Sequence, residues 1–120
     1  MRGFLVLLAA VAITGNASCG LSPFEPRPLP SGQPAQIGIR YAVTVYTHCG
    51  LRHVDFDGST WAIEGVLDDG SGNPPDGFGN PFDRGSVVLQ SHDEGVYRSE
   101  LGVERKLTRG GGLPNVQGCA

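Results

Sequence analysis

The sequence predicts an all-β fold, a small antiparallel barrel or sandwich of about five to six short strands. Three observations predict it. Apolar and polar residues alternate at period two in several short runs. Asp57-Gly58 stands between two such runs, and that dipeptide suits a tight hairpin turn. No segment after residue 20 carries a 3.6-residue apolar period, while 19 glycines and 9 prolines supply turns throughout.

The first strand runs from Ile39 to Thr47. Ile39, Tyr41, Val43 and Val45 fall on one face, and Arg40, Ala42, Thr44 and Tyr46 on the other. His48-Cys49-Gly50 closes it. Arg52 to Phe56 and Thr60 to Val66 flank the Asp57-Gly58 turn as strands two and three. Val87 to Gln90 is the fourth strand, Ser91-His92-Asp93-Glu94 a turn, and Gly95 to Ser99 and Val103 to Leu107 the fifth and sixth. Residues 68–85 show no periodicity and read as one long loop. Loops of that length in a compact domain are usually functional or self-packed. Gly72-Asn73-Pro74 recurs as Gly79-Asn80-Pro81. Proline fixes φ and glycine permits φ > 0, so a defined loop is expected, with Phe78 and Phe82 plugging it onto the core. Asn73, Pro74, Pro75, Phe78 and Asn80 are its expected binding surface. Trp61, Tyr46 and Phe78 read as core or loop anchors.

The N-terminus has a different character. Arg2 precedes an uncharged apolar run from Phe4 to Ile13, too short to span a bilayer and suited to the core of a signal peptide. Thr14 to Ser18 supply the small residues of a cleavage site. Residues 1–18 are therefore expected to be a cleaved signal peptide, 19–37 a lipidated cysteine with a Pro-rich tether, and 38–120 the β domain. Cys19 follows Ala17-Ser18, an arrangement that resembles a bacterial lipobox. Asn16 departs from the aliphatic residue preferred there, and ordinary cleavage near Ala17 is the alternative. Prolines at 23, 26, 28, 30 and 34 favour an extended, semi-rigid spacer.

The chain has 3 cysteines, an odd number for an exported protein. Lipidation of Cys19 leaves Cys49 and Cys119 to form a disulfide, the default in an oxidising compartment. It would close a loop of about 70 residues, worth about 4 kcal/mol in the chain-entropy account. A nucleophilic Cys49 with His48 as base is poorly placed, because neighbours on a strand point to opposite faces.

Formal net charge is −3, and loss of Arg2 makes the exported chain more acidic. Arg105-Lys106 is the one adjacent basic pair, which argues against nucleic acid as a partner. His48, His53 and Asp55 are candidate metal ligands, without the tight spacing of a dedicated zinc motif. The Asp55-x-Asp57-Gly58-Ser59 and Asp68-Asp69-Gly70 runs carry calcium-type donors but lack the distal Glu of an EF-hand, so they read as turns. The Gly-rich loop has no Gly-Lys-Ser/Thr phosphate cradle. Asp55 and Glu64 are a carboxylate pair of the kind any β domain offers. No cofactor is implied.

Tyr46-Thr47-His48-Cys49-Gly50, Trp61, and Gly72-Asn73-Pro74-Pro75-Asp76-Gly77-Phe78-Gly79-Asn80-Pro81, with an ending near Cys119, resemble a group of small exported actinobacterial proteins of uncharacterised activity. The resemblance covers residues 41 to 91. Phe78 stands where that group usually has Trp. It implies no activity and assigns no catalytic residue.

The expected function is a non-enzymatic extracytoplasmic binding or envelope-associated module. It would be lipid-anchored to the membrane, or otherwise secreted, with an envelope protein or small ligand as partner. The alternative is a metal-binding or hydrolytic site on His48, His53 and Asp55. Intact mass of the mature protein from native membranes, with and without reduction and alkylation, checks the cysteine assignment. The expected mass begins at Cys19 with acyl chains, and two thiols appear only on reduction. An unlipidated chain, or a thiol that alkylates without reduction, overturns it.

Overall fold

The computed structural model describes residues 25–65 and 68–112. The expected signal peptide 1–18, Cys19, the spacer up to residue 24, Val66 of the expected third strand, and Cys119 lie outside the described residues.

There is no helix among the described residues. Six strands follow one another: β1 (Arg40–Tyr46), β2 (Val54–Phe56), β3 (Ser59–Ile63), β4 (Phe82–Leu89), β5 (Glu94–Ser99) and β6 (Glu104–Arg109). All pairings are antiparallel, in the order β1-β4-β5-β6-β3-β2. The two ends of that order, β1 and β2, approach each other, so the sheet curls into a nearly closed barrel.

Alternation decides what lies inside. Tyr41 and Val45 of β1, Val54 and Phe56 of β2, Trp61 and Ile63 of β3, Val87 and Leu89 of β4, Tyr97 of β5 and Leu107 of β6 fill the barrel, with Leu51 from the β1–β2 connection. The Asp57-Gly58 turn joins β2 to β3, and both residues have positive φ, 53° and 67°, as a two-residue type I′ hairpin requires.

One boundary differs from expectation. The loop was expected to run to Gly85, but β4 begins at Phe82 and pairs with β1 through Asp83, Arg84 and Gly85. These residues look like turn formers. Here Asp83 has donors inside the barrel, and Gly85 makes room for a tyrosine ring. A Cβ on Gly85 would lie 2.4 Å from the Arg98 carbonyl oxygen and 2.6 Å from the Tyr97 hydroxyl. β6 likewise runs past the expected Leu107 to Arg109.

Within the described residues the Pro-rich segment is not a free spacer. From Arg27 onward it lies on the barrel. The Arg27 N–H donates to the Arg40 carbonyl (3.0 Å) and the Arg27 carbonyl accepts from the Ala42 N–H (2.9 Å), along the edge of β1 not used by β4. Further on, the Ala35 N–H donates to Asp57 Oδ1 (2.9 Å) and the Gln36 N–H to the Tyr41 hydroxyl (3.0 Å). Leu29 and Ala35 pack against the core. The strap thus bridges β1 to the β2–β3 turn and fills the seam where the barrel fails to close.

Arg109 ties this end together. Its guanidinium stands 2.8 Å from Asp57 Oδ2, donates to Ser59 Oγ (2.6 Å) and to the His92 carbonyl (2.7 Å), and lies 4.4 Å from the Trp61 ring centroid. Both partners of the ion pair are largely buried, with side-chain exposures of 16% and 13%. Burial pushes the Asp57 carboxyl up. The hydrogen bonds from Arg109 and Ala35 and the Arg109 charge outweigh it and hold the group below its usual value. A lowered native pKa stabilises the fold fully above the ordinary Asp value of 3.8, and that contribution is lost as pH falls through the native value. Asp57→Asn is expected to cost about 2–3 kcal/mol at neutral pH, because it leaves a buried guanidinium without its charge partner. Its stability should also depend less on pH below 4 than that of the parent, which urea titrations across pH 2–7 check.

Candidate functional site

The opposite end of the barrel is plugged by residues 68–81. A buried carboxyl is the centre of the polar contacts that hold the plug. Asp83, 2% exposed, accepts from the Gly79 N–H (2.8 Å) and from the Ser99 hydroxyl (2.8 Å) on Oδ1, and from the Tyr97 hydroxyl on Oδ2. Burial first, and the Asp83 hydrogen bond and charge second, push the Tyr97 phenol far above its ordinary range, so it remains a donor. The Thr47 hydroxyl, also buried, donates to the Gly79 carbonyl, and the Thr47 and His48 N–H groups both donate to the Pro81 carbonyl (2.8 and 3.2 Å).

Phe78 is the apolar half of the plug. It stacks on Tyr97 with ring centroids 6.5 Å apart and planes 15° apart, and Arg105 covers its other side with its guanidinium 5.4 Å from the ring centroid. The expectation for Phe78 holds. Phe82 does not plug the core: it is the first residue of β4, faces outward and is 56% exposed.

The expected binding loop is occupied with its own structure. Pro74 is buried and Pro75 half-buried. Asp69 accepts from the Ser71 N–H (2.7 Å) and the Asn73 N–H (3.2 Å), and the Asn80 amide donates to Asn73 Oδ1 (3.2 Å). The Ser71 N–H above all, then the Asn73 groups, hold the exposed Asp69 carboxyl below the usual range against slight desolvation. Asp68 similarly accepts from the Gly70 N–H (2.7 Å). The acidic run is therefore turn chemistry. The Asn80–Pro81 peptide bond is cis.

The candidate metal ligands are not assembled. His53 Nε2 lies 3.3 Å from Asp55 Oδ2, but His48 sits in the next turn with its ring 6.2 Å from that of Tyr46. Among the described residues no three His, Cys, Asp or Glu side chains converge on one point. The His53–Asp55 pair instead has the Gly112 backbone against it, where a Cβ would fall 2.6 Å from His53 Cβ. Asp55 pairs across the hairpin with Thr60, four residues before Glu64. That register sets the two backbone positions about 13 Å apart along the sheet. Cys49 is the third residue of the Thr47–Gly50 turn, at φ 77°, and its N–H donates to the Gly72 carbonyl (2.9 Å).

What this end offers to solvent is aromatic. Tyr46 and Phe82 are register partners on the outer face of β1 and β4, with ring centroids 5.4 Å apart and planes 66° apart. Tyr46 is 44% exposed and not the core or loop anchor expected. The His48 ring stands edge-on to Tyr46, and Leu101, 65% exposed, lines a shallow cleft with Phe82 and Arg84. The outer face of the first strand was legible in the alternation. The pairing with Phe82 was not, because it depends on where β4 begins.

Comparison with known protein families, curated proteins and solved structures finds no match to this chain.

The Asp83 knot yields a direct test. Asp83→Asn keeps the shape, removes the charge and turns an acceptor into a donor facing Tyr97 or Ser99. It is expected to cost about 2–4 kcal/mol in denaturant unfolding. Combined with Tyr97→Phe, the loss should be smaller than the sum of the two single losses, because both act on one hydrogen-bond network.

Proposed function

We propose that this chain is a non-enzymatic binding module of the cell envelope. It is exported and held outside the cytoplasmic membrane by a lipid on Cys19, and it contacts its partner through the outer face around Tyr46 and Phe82. One observation carries the reading. Two aromatic rings stand side by side in solvent beside Leu101, on strands whose inner faces are fixed by the buried Asp83 network. Exposed aromatics grouped on a rigid support are the usual anchors of recognition surfaces. The side chains with chemical potential are meanwhile spent on structure: Asp83 and Tyr97 hold the plug, and Asp57 and Arg109 hold the other end.

A Cys49–Cys119 disulfide belongs to the same proposal. Cys49 occupies a left-handed position that glycine fills without steric cost, so backbone preference does not account for cysteine there. At Gly112 the chain lies against His53, just beyond the Cys49 turn. Seven further residues reach at most about 25 Å, enough to bring Cys119 back to that turn.

Photo-crosslinking in cells tests the surface. A photoreactive side chain at position 46 or 82 should give discrete adducts that the same group at position 106, on the outer face of β6, does not. Tyr46→Ser with Phe82→Ser should reduce capture from position 101 by about ten-fold. Adducts from positions 73–80 but not from 46 or 82 would move the contact surface to the loop.

A further inference from the structure

Beside the aromatic pair, the outer face of β1, β4 and β5 sinks into a groove. Its floor is Ala42, Gly85 and Ser86, and Arg40, Arg98 and Glu100 stand around it. Arg84 and Thr44 line the adjoining hollow. Strand register explains the shape. Ala42 faces Ser86, Ser86 faces Arg98, and Thr44 faces Arg84, all on the side opposite the buried Tyr41, Val87 and Tyr97. Short side chains in the middle of three strands, with long cationic ones around them, make a shallow trough walled by guanidinium groups.

The arginines of the groove are held less firmly than Arg109, whose ion pair with Asp57 is largely buried. Arg40 donates only to the neutral Ser86 hydroxyl (2.8 Å). Arg98 stands 3.8 Å from Glu104, both about half exposed, where an ion pair contributes little. Among the described residues the Arg84 side chain makes no hydrogen bond or ion pair. A chain of net charge −3 thus gathers three guanidiniums, Arg40, Arg84 and Arg98, on a face where the described residues place the carboxylates of Glu100 and Glu104.

Resting on the binding reading above, we infer that this groove together with Tyr46 and Phe82 takes an acidic saccharide. The aromatic pair stacks on a sugar ring, and Arg84, Arg98 and Arg40 receive its anionic groups. Phe82 and Arg84 are two residues apart on one face of β4, about 7 Å. A ring seated on the aromatics therefore directs its acidic substituent, or that of the next ring, at Arg84. Planar guanidiniums suit carboxylates in paired hydrogen bonds. An extended peptide cannot add as a strand at Arg40 and Ala42, because Arg27 already holds that edge. The groove is shallow and ringed by arginines, which suits an anionic ligand better than an acyl chain.

Titration of the full exported protein with three probes tests the inference. The probes are an oligogalacturonate, the same oligomer fully methyl-esterified, and inorganic polyphosphate. The acidic oligomer should bind at least about ten-fold more tightly than the ester, and weaken as salt rises. Arg84→Gln and Arg98→Gln should each weaken it about three- to ten-fold, and Tyr46→Ser with Phe82→Ser about ten-fold. Lys106→Gln, which removes the same charge outside the groove, should leave affinity unchanged. Unaltered thermal midpoints would show that the variants fold. Equal binding of acid and ester, or indifference to the arginine variants, overturns the acidic class. Polyphosphate binding as tightly as the oligomer and unaffected by loss of the rings overturns the saccharide. No binding of the acidic oligomer with crosslinking from position 46 intact overturns the ligand class alone. If that crosslinking is also absent, the binding reading falls with it.

Discussion

Everything at the loop end of this barrel depends on a carboxyl that has no access to water. Burying Asp83 is tolerable only because three donors meet it, from two distant parts of the chain: Gly79 from the loop, Tyr97 and Ser99 from β5. The loop cannot lift without stranding the charge, and β5 cannot slip without removing two donors at once. The constraint reaches back into sequence. Gly85 has to be glycine for Tyr97 to reach the carboxyl, and Phe78 stacks on the ring so placed. One buried charge therefore sets a register, a residue choice and a loop conformation together, where apolar packing alone tolerates substitution of similar volume.

The hairpin end solves a related problem differently. Asp57 and Arg109 neutralise each other, and the pair gathers backbone groups from the strap and from both hairpin turns. A domain of this size has a thin margin from core burial. Two polar knots, one at each mouth of the barrel, replace the apolar layers that a larger protein would stack there. Between them the barrel carries an ordinary core, and its outer face is left with the side chains that nothing inside requires: Tyr46, Phe82 and the arginines of β1, β4 and β5.

How much of this was legible in the sequence follows from how local each signal is. Alternation in Ile39 to Thr47 and the Asp57-Gly58 turn are properties of a few neighbouring residues, and the strands and hairpin they predict are present. Phe78 as a plug was legible because an aromatic in the middle of a Gly/Pro-rich loop has little else to bury against, whereas Phe82, expected to do the same, starts a strand and faces outward. Asp83, Arg84 and Gly85 misled because their strand character is supplied from β1 and β5, far along the chain. Arg109 gave no signal at all: a terminal arginine on a polar strand becomes a tie only when two turns and a tryptophan are brought around it. The spacer reading of the prolines failed from Arg27 onward for the same reason, since the β1 edge that accepts the strap is invisible in composition. For the candidate site, alternation put Tyr46 on the face opposite Tyr41, but the size of its ring made it read as an anchor rather than an exposed surface group, and the groove is a product of cross-strand register.

The chain contains a single tryptophan, and it sits wholly buried with its indole N–H donating to the Phe56 carbonyl (2.8 Å) beneath the Arg109 guanidinium. Its emission is therefore a report from one mouth of the barrel. Events at the far mouth, including anything that settles on Tyr46 and Phe82, take place out of its optical sight. Indole emission excited to the red of the tyrosine band follows the Asp57–Arg109 closure, so a silent indole alongside an occupied outer face is the natural pairing of signals, and a shift in its colour marks the hairpin end coming undone.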